Sequence, residues 1–240
     1  GIQMTPVSWI DIASGRRMRF QVGDGADIAI RSVSNDFSAM VVEKSGPQTP
    51  PEFYLVQNGR ARLLGRAYPE INQNSLGETR LIQYAARDGL MIPAFLTTPN
   101  PAVFGEGPYP TIITPHGGPW ARDGLDWDPT GWTQYFASRG YAVLQPQYRG
   151  SDGWGQRLWR AGDNEWGGRM QDDKDDGVRY LIEQGIADPN RVAMHGYSYG
   201  GYASMVAAVR PDGLYQCAIA GAGPSSLDLI RRRVFSSPIG

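Results

Sequence analysis

The 240-residue chain has almost no cysteine and little histidine, and it carries no excess of charge. Its single cysteine, Cys217, rules out an internal disulfide without fixing the redox compartment, and its setting in Cys217-Ala218-Ile219-Ala220 predicts a small core residue on a buried strand. Lys and Arg number 23 against 24 Asp and Glu, so nothing in the charge balance favours nucleic acid or an anionic membrane as a partner. No apolar run approaches the roughly 18 residues of a transmembrane helix, which predicts a soluble chain with no membrane partner. Residue 1 is Gly rather than Met and no signal-like segment follows, so the native start is expected to lie elsewhere and the compartment is not legible.

Glycine, by contrast, is abundant at 31 residues, and its most informative use is in Arg191 to Tyr202. There Val192-Ala193-Met194 reads as a buried strand, Gly196-Tyr197-Ser198-Tyr199-Gly200 as a tight turn, and Gly201, Ala203, Ser204, Ala207 and Ala208 as the small face of a helix packed on a sheet. Strand, G-x-S-x-G turn and helix together expose a serine on a strained bend, the arrangement a hydroxyl needs to serve as nucleophile. The backbone N–H of Tyr199, at the helix start, points where an oxyanion would form.

The rest of the chain supplies two kinds of surroundings. Residues 1–75 hold short alternating stretches and turns, which predict antiparallel strands. Ser14-Gly15-Arg16 follows Trp9-Ile10-Asp11-Ile12, and Asn58-Gly59-Arg60 follows Phe53-Tyr54-Leu55-Val56, an echo 44 residues apart that matches the length of a propeller blade. Asp27 to Ile30 and Ala39 to Val42 supply further strands. About one and a half blades fit here, with a small sandwich as the alternative. Residues 71–80 read as a linker. From residue 76 onward, a hairpin around Asp88-Gly89 is followed by strands at Thr111 to Thr114, Tyr141 to Leu144 and Val192 to Met194. These alternate with helices at Trp132 to Arg139 and 172–184, predicting a mostly parallel sheet covered on both faces.

The elbow occurs in order with His116-Gly117-Gly118-Pro119-Trp120, Tyr148-Arg149-Gly150-Ser151-Asp152-Gly153-Trp154-Gly155 and Trp166-Gly167-Gly168-Arg169-Met170-Gln171-Asp172-Asp173. Over about residues 81–225 this set resembles the prolyl oligopeptidase family of serine peptidases, particularly its acylaminoacyl-peptidase-like branch. The resemblance implies an α/β fold. An α/β-hydrolase domain from residue 76 to 240, incomplete at its C-terminus, follows the last part of a β-propeller that admits only small or unfolded peptides. It implies Ser198 as nucleophile, the backbone N–H groups of Gly118 and Tyr199 as the oxyanion hole, a peptide substrate and no cofactor or metal. His116 would stand beside that hole. Tyr148 would either donate to a bound substrate or keep its hydroxyl satisfied at a strand end. Oligomeric state is left open, a homo-oligomer included.

One departure matters. The triad order on this fold is Ser, then Asp or Glu, then His, yet the 42 residues after Ser198 contain no histidine. Asp228 follows the strand at Cys217 too early for the acid and reads as a solvated carboxylate. His195 lies about 10 Å back along the strand, and His116 opens the oxyanion turn, so neither suits the base. The expectation is therefore a chain cut from a longer enzyme and silent by itself, its acid and base lying elsewhere. An esterase of the same fold is the alternative, disfavoured by Pro119 after the glycine pair and by the propeller-like start. Asp172 to Asp176 resembles a calcium loop, but Lys174 would put an ammonium where a ligand belongs, and a helix start explains the acids better. Arg231-Arg232-Arg233 reads as a solvated face. Trp120, Trp127, Trp132, Trp154, Trp159 and Trp166 read as packing or as an aromatic substrate wall.

Overall fold

A computed structural model describes residues 8–10, 12–19 and 27–236. The chain divides into two compact units, residues 1–79 with 124–135, and residues 80–123 with 136–240. The sequence places one boundary near residue 75; the segment 124–135 instead joins the first unit.

In the first unit β1 (Ser8–Ile10) and β2 (Arg17–Arg19) form an antiparallel pair, the expected hairpin around Ser14-Gly15-Arg16; Asp11, counted in the expected strand, lies outside the described residues. Then β3 (Asp27–Val33), β4 (Ala39–Gly46), β5 (Thr49–Gln57) and β6 (Arg60–Arg66) form a four-stranded antiparallel meander in sequence order, the form of a propeller blade. Alternation drives it: Met40, Val42 and Val56 bury one face, and Met40 lies opposite Val56. The two-residue turn between β5 and β6 is Asn58-Gly59, with φ of 51° and 71°, the left-handed pair that a tight hairpin demands.

In the second unit a six-stranded sheet has the order β12-β11-β9-β10-β8-β7, built from β7 (Glu78–Ala85), β8 (Met91–Thr98), β9 (Tyr109–Ile113), β10 (Ala142–Pro146), β11 (Ala187–Tyr197) and β12 (Cys217–Gly221). β10 runs antiparallel to β8, while β10, β9, β11 and β12 are mutually parallel neighbours. Helices intervene as α1 (Pro101–Phe104), α2 (Trp132–Ala137), α3 (Gln156–Arg160), α4 (Arg169–Glu183), α5 (Tyr199–Val209) and α6 (Leu227–Ser236). α4 and α5 pack on β11 and on each other, so their apolar residues Met170, Val178, Leu181, Ala203 and Ala207 share one core with Ile113, Leu144, Val192 and Met194. Among the described residues no helix is long and apolar enough to cross a membrane.

Cys217 corrects one expectation. It is exposed rather than buried, and among the described residues β12 has one strand neighbour, β11. Apolar composition marks a strand, but only the strand order decides which strand has neighbours on both sides.

Candidate active site

The bend at Ser198 is made by backbone that few residues adopt. Ser198 has φ 57° and ψ −120°, a conformation that costs about 1–3 kcal/mol in a residue with a Cβ and persists only where its surroundings enforce it. Two hydrogen bonds enforce it: Ser198 N donates to Gly221 O of β12 at 2.9 Å, and Tyr202 N donates to Ser198 O at 3.0 Å. The bend also brings residue 196 against residue 200. A Cβ at Gly196 would lie 2.3 Å from the Gly200 carbonyl carbon, and one at Gly200 would lie 2.2 Å from Pro115 O, so both positions must lack one. Ser198 is exposed, and among the described residues its hydroxyl has no hydrogen-bond partner.

The turn after β9 lies alongside. A Cβ at Gly117 would approach Ser198 Cβ to 3.6 Å and Tyr197 O to 3.5 Å. Gly118 follows with φ +114°, a conformation open to glycine, and it is exposed with no hydrogen bond from its N–H to any described residue. Tyr199 N is the first N–H of α5 and has no partner within the helix. The structure thus brings the turn that carries Gly118 against the bend that carries Ser198 and Tyr199, residues separated by up to 81 positions in sequence.

His116 stands in the glycine turn beside Ser198, and Tyr148 follows the second of its two expected alternatives, a hydroxyl satisfied by backbone. His116 Nδ1 lies 2.8 Å from Gly117 O and Nε2 lies 2.8 Å from Ser151 Oγ. A carbonyl only accepts, so Nδ1 carries the proton and Nε2 accepts from the Ser151 hydroxyl. Burial, aided by the Lys174 charge, pushes the imidazole down to about 4 against the pull of the Gly117 carbonyl. Tyr148 is fully buried, its ring stacked 4.4 Å from the His116 ring and its hydroxyl donating to His116 O at 2.8 Å. Both polar side chains are spent on holding the turn. Both belonged to recognisable motifs, but a motif does not say which way a side chain faces. His195, on β11, packs edge-on against Phe136 with ring centres 5.5 Å apart.

The sequence profile of the prolyl oligopeptidase family matches residues 128–233. Dipeptidyl aminopeptidase BIII of Pseudoxanthomonas mexicana is 32% identical over 216 residues, 87% of this chain and 31% of that protein. The chain belongs to the prolyl oligopeptidase family. Within the family, dipeptidyl peptidase family member 6 of Caenorhabditis elegans is 35% identical over 82% of this chain and 29% of its own length. Among solved structures, a puromycin-hydrolyzing peptidase of Mycobacterium tuberculosis superposes with a TM-score of 0.77 at 25% identity, over 95% of this chain and 35% of that one. The chain spans about a third of the length of these family members. Family members of this type join a propeller to an α/β-hydrolase domain, and the blade and the parallel sheet are parts of those two.

Beneath the turn and the elbow lies a layer of buried charge that sequence reading missed. Asp172 to Asp176 do lie in a helix, as expected, but they do more than favour its N-terminus. Asp173 takes Arg149 Nη2 at 2.7 Å and Nε at 2.9 Å, and Arg149 also reaches Asp88 at 2.9 Å. Burial pushes the Asp173 carboxyl up while the Arg149 fork pulls it back, and the paired carboxylates hold Arg149 firmly charged. Asp175 is met by Arg210 at 2.8 Å and by the Tyr215 hydroxyl at 2.8 Å, and Asp176 by Arg87 at 2.8 Å. The signal was present in Lys174, which shares a helix face with Val178 and Leu181 at i+4 and i+7 and has acids on both sides in sequence, an unusual place for charge unless it is compensated.

Asp228 is exposed on α6, paired with Arg232 at 2.8 Å. The side chains of Arg231 and Arg233 lie outside the described residues. Of the tryptophans, Trp127 and Trp132 belong to the first unit, the former beside Tyr68. Trp120 is 58% exposed and lies 6.3 Å from Trp166, which meets the Tyr199 ring edge-on at 4.7 Å.

Proposed function

We propose that the protein from which these residues come is a serine peptidase acting on short peptides, with Ser198 as its nucleophile. Ser198 Oγ attacks the carbonyl carbon of the scissile bond, giving its proton to a general base. The carbonyl oxygen takes up the negative charge and is held by the N–H groups of Gly118 and Tyr199. The C–N bond then breaks, the amine leaves with the transferred proton, and water releases the acyl group from Ser198. The observation that carries this reading is the exposed, unpartnered hydroxyl on a positive-φ bend beside a glycine turn with a free N–H. Relatives named as a dipeptidyl aminopeptidase and a puromycin-hydrolyzing peptidase support peptide and amide substrates over esters.

The base and its acid come from outside these 240 residues in this reading. What supports it is the state of the two histidines: His116 has both ring nitrogens engaged and is held neutral by burial, and Ser198 is bonded to neither. Full-length protein with Ser198→Ala is expected to lose at least about 1,000-fold in kcat on peptide amides and all labelling by a fluorophosphonate probe. Normal turnover by that variant would refute the assignment. Strong labelling of Ser198 in a polypeptide limited to these residues would instead place the base within them. A kcat/KM preference for long acyl esters, with no amide cleavage, would make the enzyme an esterase.

A further inference from the structure

Lys174 sits in the middle of α4 with none of its surface exposed. Its Nζ donates to Met170 O, one turn back, at 2.7 Å, and stands 3.6 Å from the centre of the Tyr148 ring and 5.2 Å from that of Tyr199. Among the described residues it makes no ion pair. The carboxylates on either side of it in sequence are turned elsewhere, Asp173 to Arg149 and Asp175 to Arg210 and Tyr215. A buried amine without a carboxylate is expensive, and methionine or leucine would fill the same space without that desolvation.

The two rings it faces are the ones that carry the site. Tyr148 underlies the His116 ring and bonds the His116 carbonyl, at the start of the glycine turn. Tyr199 contributes the other free N–H, and its ring stacks on Tyr148 at 5.4 Å. A cation over aromatic faces in a dry interior is attracted by the ring quadrupoles, and it places positive potential behind whatever those rings support. We propose that Lys174 is a positioning residue of the oxyanion site: as an ammonium it fixes the Tyr148 and Tyr199 rings and lends positive potential to the Gly118 and Tyr199 N–H groups, and without its proton it releases both. This rests on the reading of Ser198, Gly118 and Tyr199 given above.

The charged and titratable groups facing Lys174 set when the proton leaves. They are Asp173 and Asp175 on α4, Tyr148 and Arg149 after β10, Tyr199 and Arg210 from α5 and its end, His116 in the glycine turn, and Tyr84 of β7, whose hydroxyl bonds Asp173 O. Burial pushes Lys174 down to about 7, the two aspartates oppose this, and Arg210 and Arg149 add to it. Around that pH the arginines stay charged, while His116 and the buried tyrosines stay neutral. The ammonium is present on the acid side, so kcat is expected to fall as pH rises through neutrality.

The test uses full-length protein and a peptide substrate without groups that titrate between pH 6 and 9. The wild type should show a descending limb of kcat in that range. Lys174→Met should lower kcat at pH 6 by about tenfold with KM within about twofold, weaken a peptide boronic acid in step, and abolish the limb. Lys174→Arg should keep kcat within a few-fold and also lose the limb, since guanidinium does not titrate there. Wild-type kcat in Lys174→Met, or a limb that survives in it, would overturn the proposal. Should both variants fail to fold, the wild-type profile decides: a flat or rising kcat from pH 6 to 9 overturns the proposal and a falling one supports it. Activity retained by Ser198→Ala would instead bring down the underlying assignment, so the two failures are distinguishable.

Discussion

An alanine at position 200 adds one methyl group, 2.2 Å from the Pro115 carbonyl oxygen. Both partners are backbone, so relief means moving the helix start away from the glycine turn. Gly200→Ala is expected to cost about 1–3 kcal/mol in urea denaturation, as overpacking does, with a larger proportional loss in kcat because the two N–H donors separate. Unchanged kcat in that variant would mean the turn and the elbow do not act as one unit. At this scale much was legible: G-x-S-x-G announces a bend that needs glycine at both ends, and Ser198 is where it was expected. For Tyr148 the sequence left two alternatives open, and it did not show the partners of His116. A polar side chain in a motif faces a substrate or its own backbone according to how neighbouring loops fold, and the Tyr148 hydroxyl finds His116 O, 32 positions earlier.

α4 is the element whose chemistry the sequence understated. Breaking its pair with Arg149→Met leaves Asp173 buried and uncompensated, which is expected to destabilise the protein by about 3–5 kcal/mol. Adding Asp173→Asn should recover a large part of that loss, and a double-mutant cycle by chemical denaturation measures it. Lys174 makes a second prediction at this scale. With a native value of about 7 against about 10.4 unfolded, the unfolded chain binds a proton that the native chain lacks between those limits. Stability from this group therefore rises with pH across that window, by up to about 1.4 kcal/mol per pH unit. Lys174→Met should remove that slope from the pH dependence of the urea midpoint, and an unaltered slope would show the amine to be charged throughout. Helical periodicity located α4 correctly. It did not show that its carboxylates are buried, because their arginine partners come from Arg87, Arg149 and Arg210, far apart in sequence.

At the scale of the whole chain, residues 124–135 return to the unit formed by residues 1–79, and one side chain does much of the holding. Gln134 accepts from Gly77 N at 2.8 Å and donates to Pro47 O at 2.8 Å and Gly77 O at 3.1 Å, with only 5% of its surface exposed. Gln134→Leu strands the buried N–H and carbonyl of Gly77 and the half-buried Pro47 carbonyl, and is expected to cost about 2–4 kcal/mol of local stability, read as faster proteolytic cleavage between residues 120 and 135 in the full-length protein. Cleavage at the wild-type rate would show that the segment is held by other means. Nothing in the composition of 124–135 distinguishes it from a loop of the second unit, which is why the expected boundary treated residues 76–240 as continuous.

What the sequence determined by itself was local or periodic: the alternation of β4 and β5, the Asn58-Gly59 hairpin, the strand, turn and helix around Ser198, and the order of motifs that marks the family. What tertiary structure alone decided were matters of neighbourhood. It turned His116 and Tyr148 onto the backbone of the glycine turn, and set Lys174 against the stacked Tyr148 and Tyr199 rings. The physical reason is the same in each case. Backbone conformation is set by the few residues on either side of it, whereas burial and the partner of a polar group depend on chain that is distant in sequence and near in space.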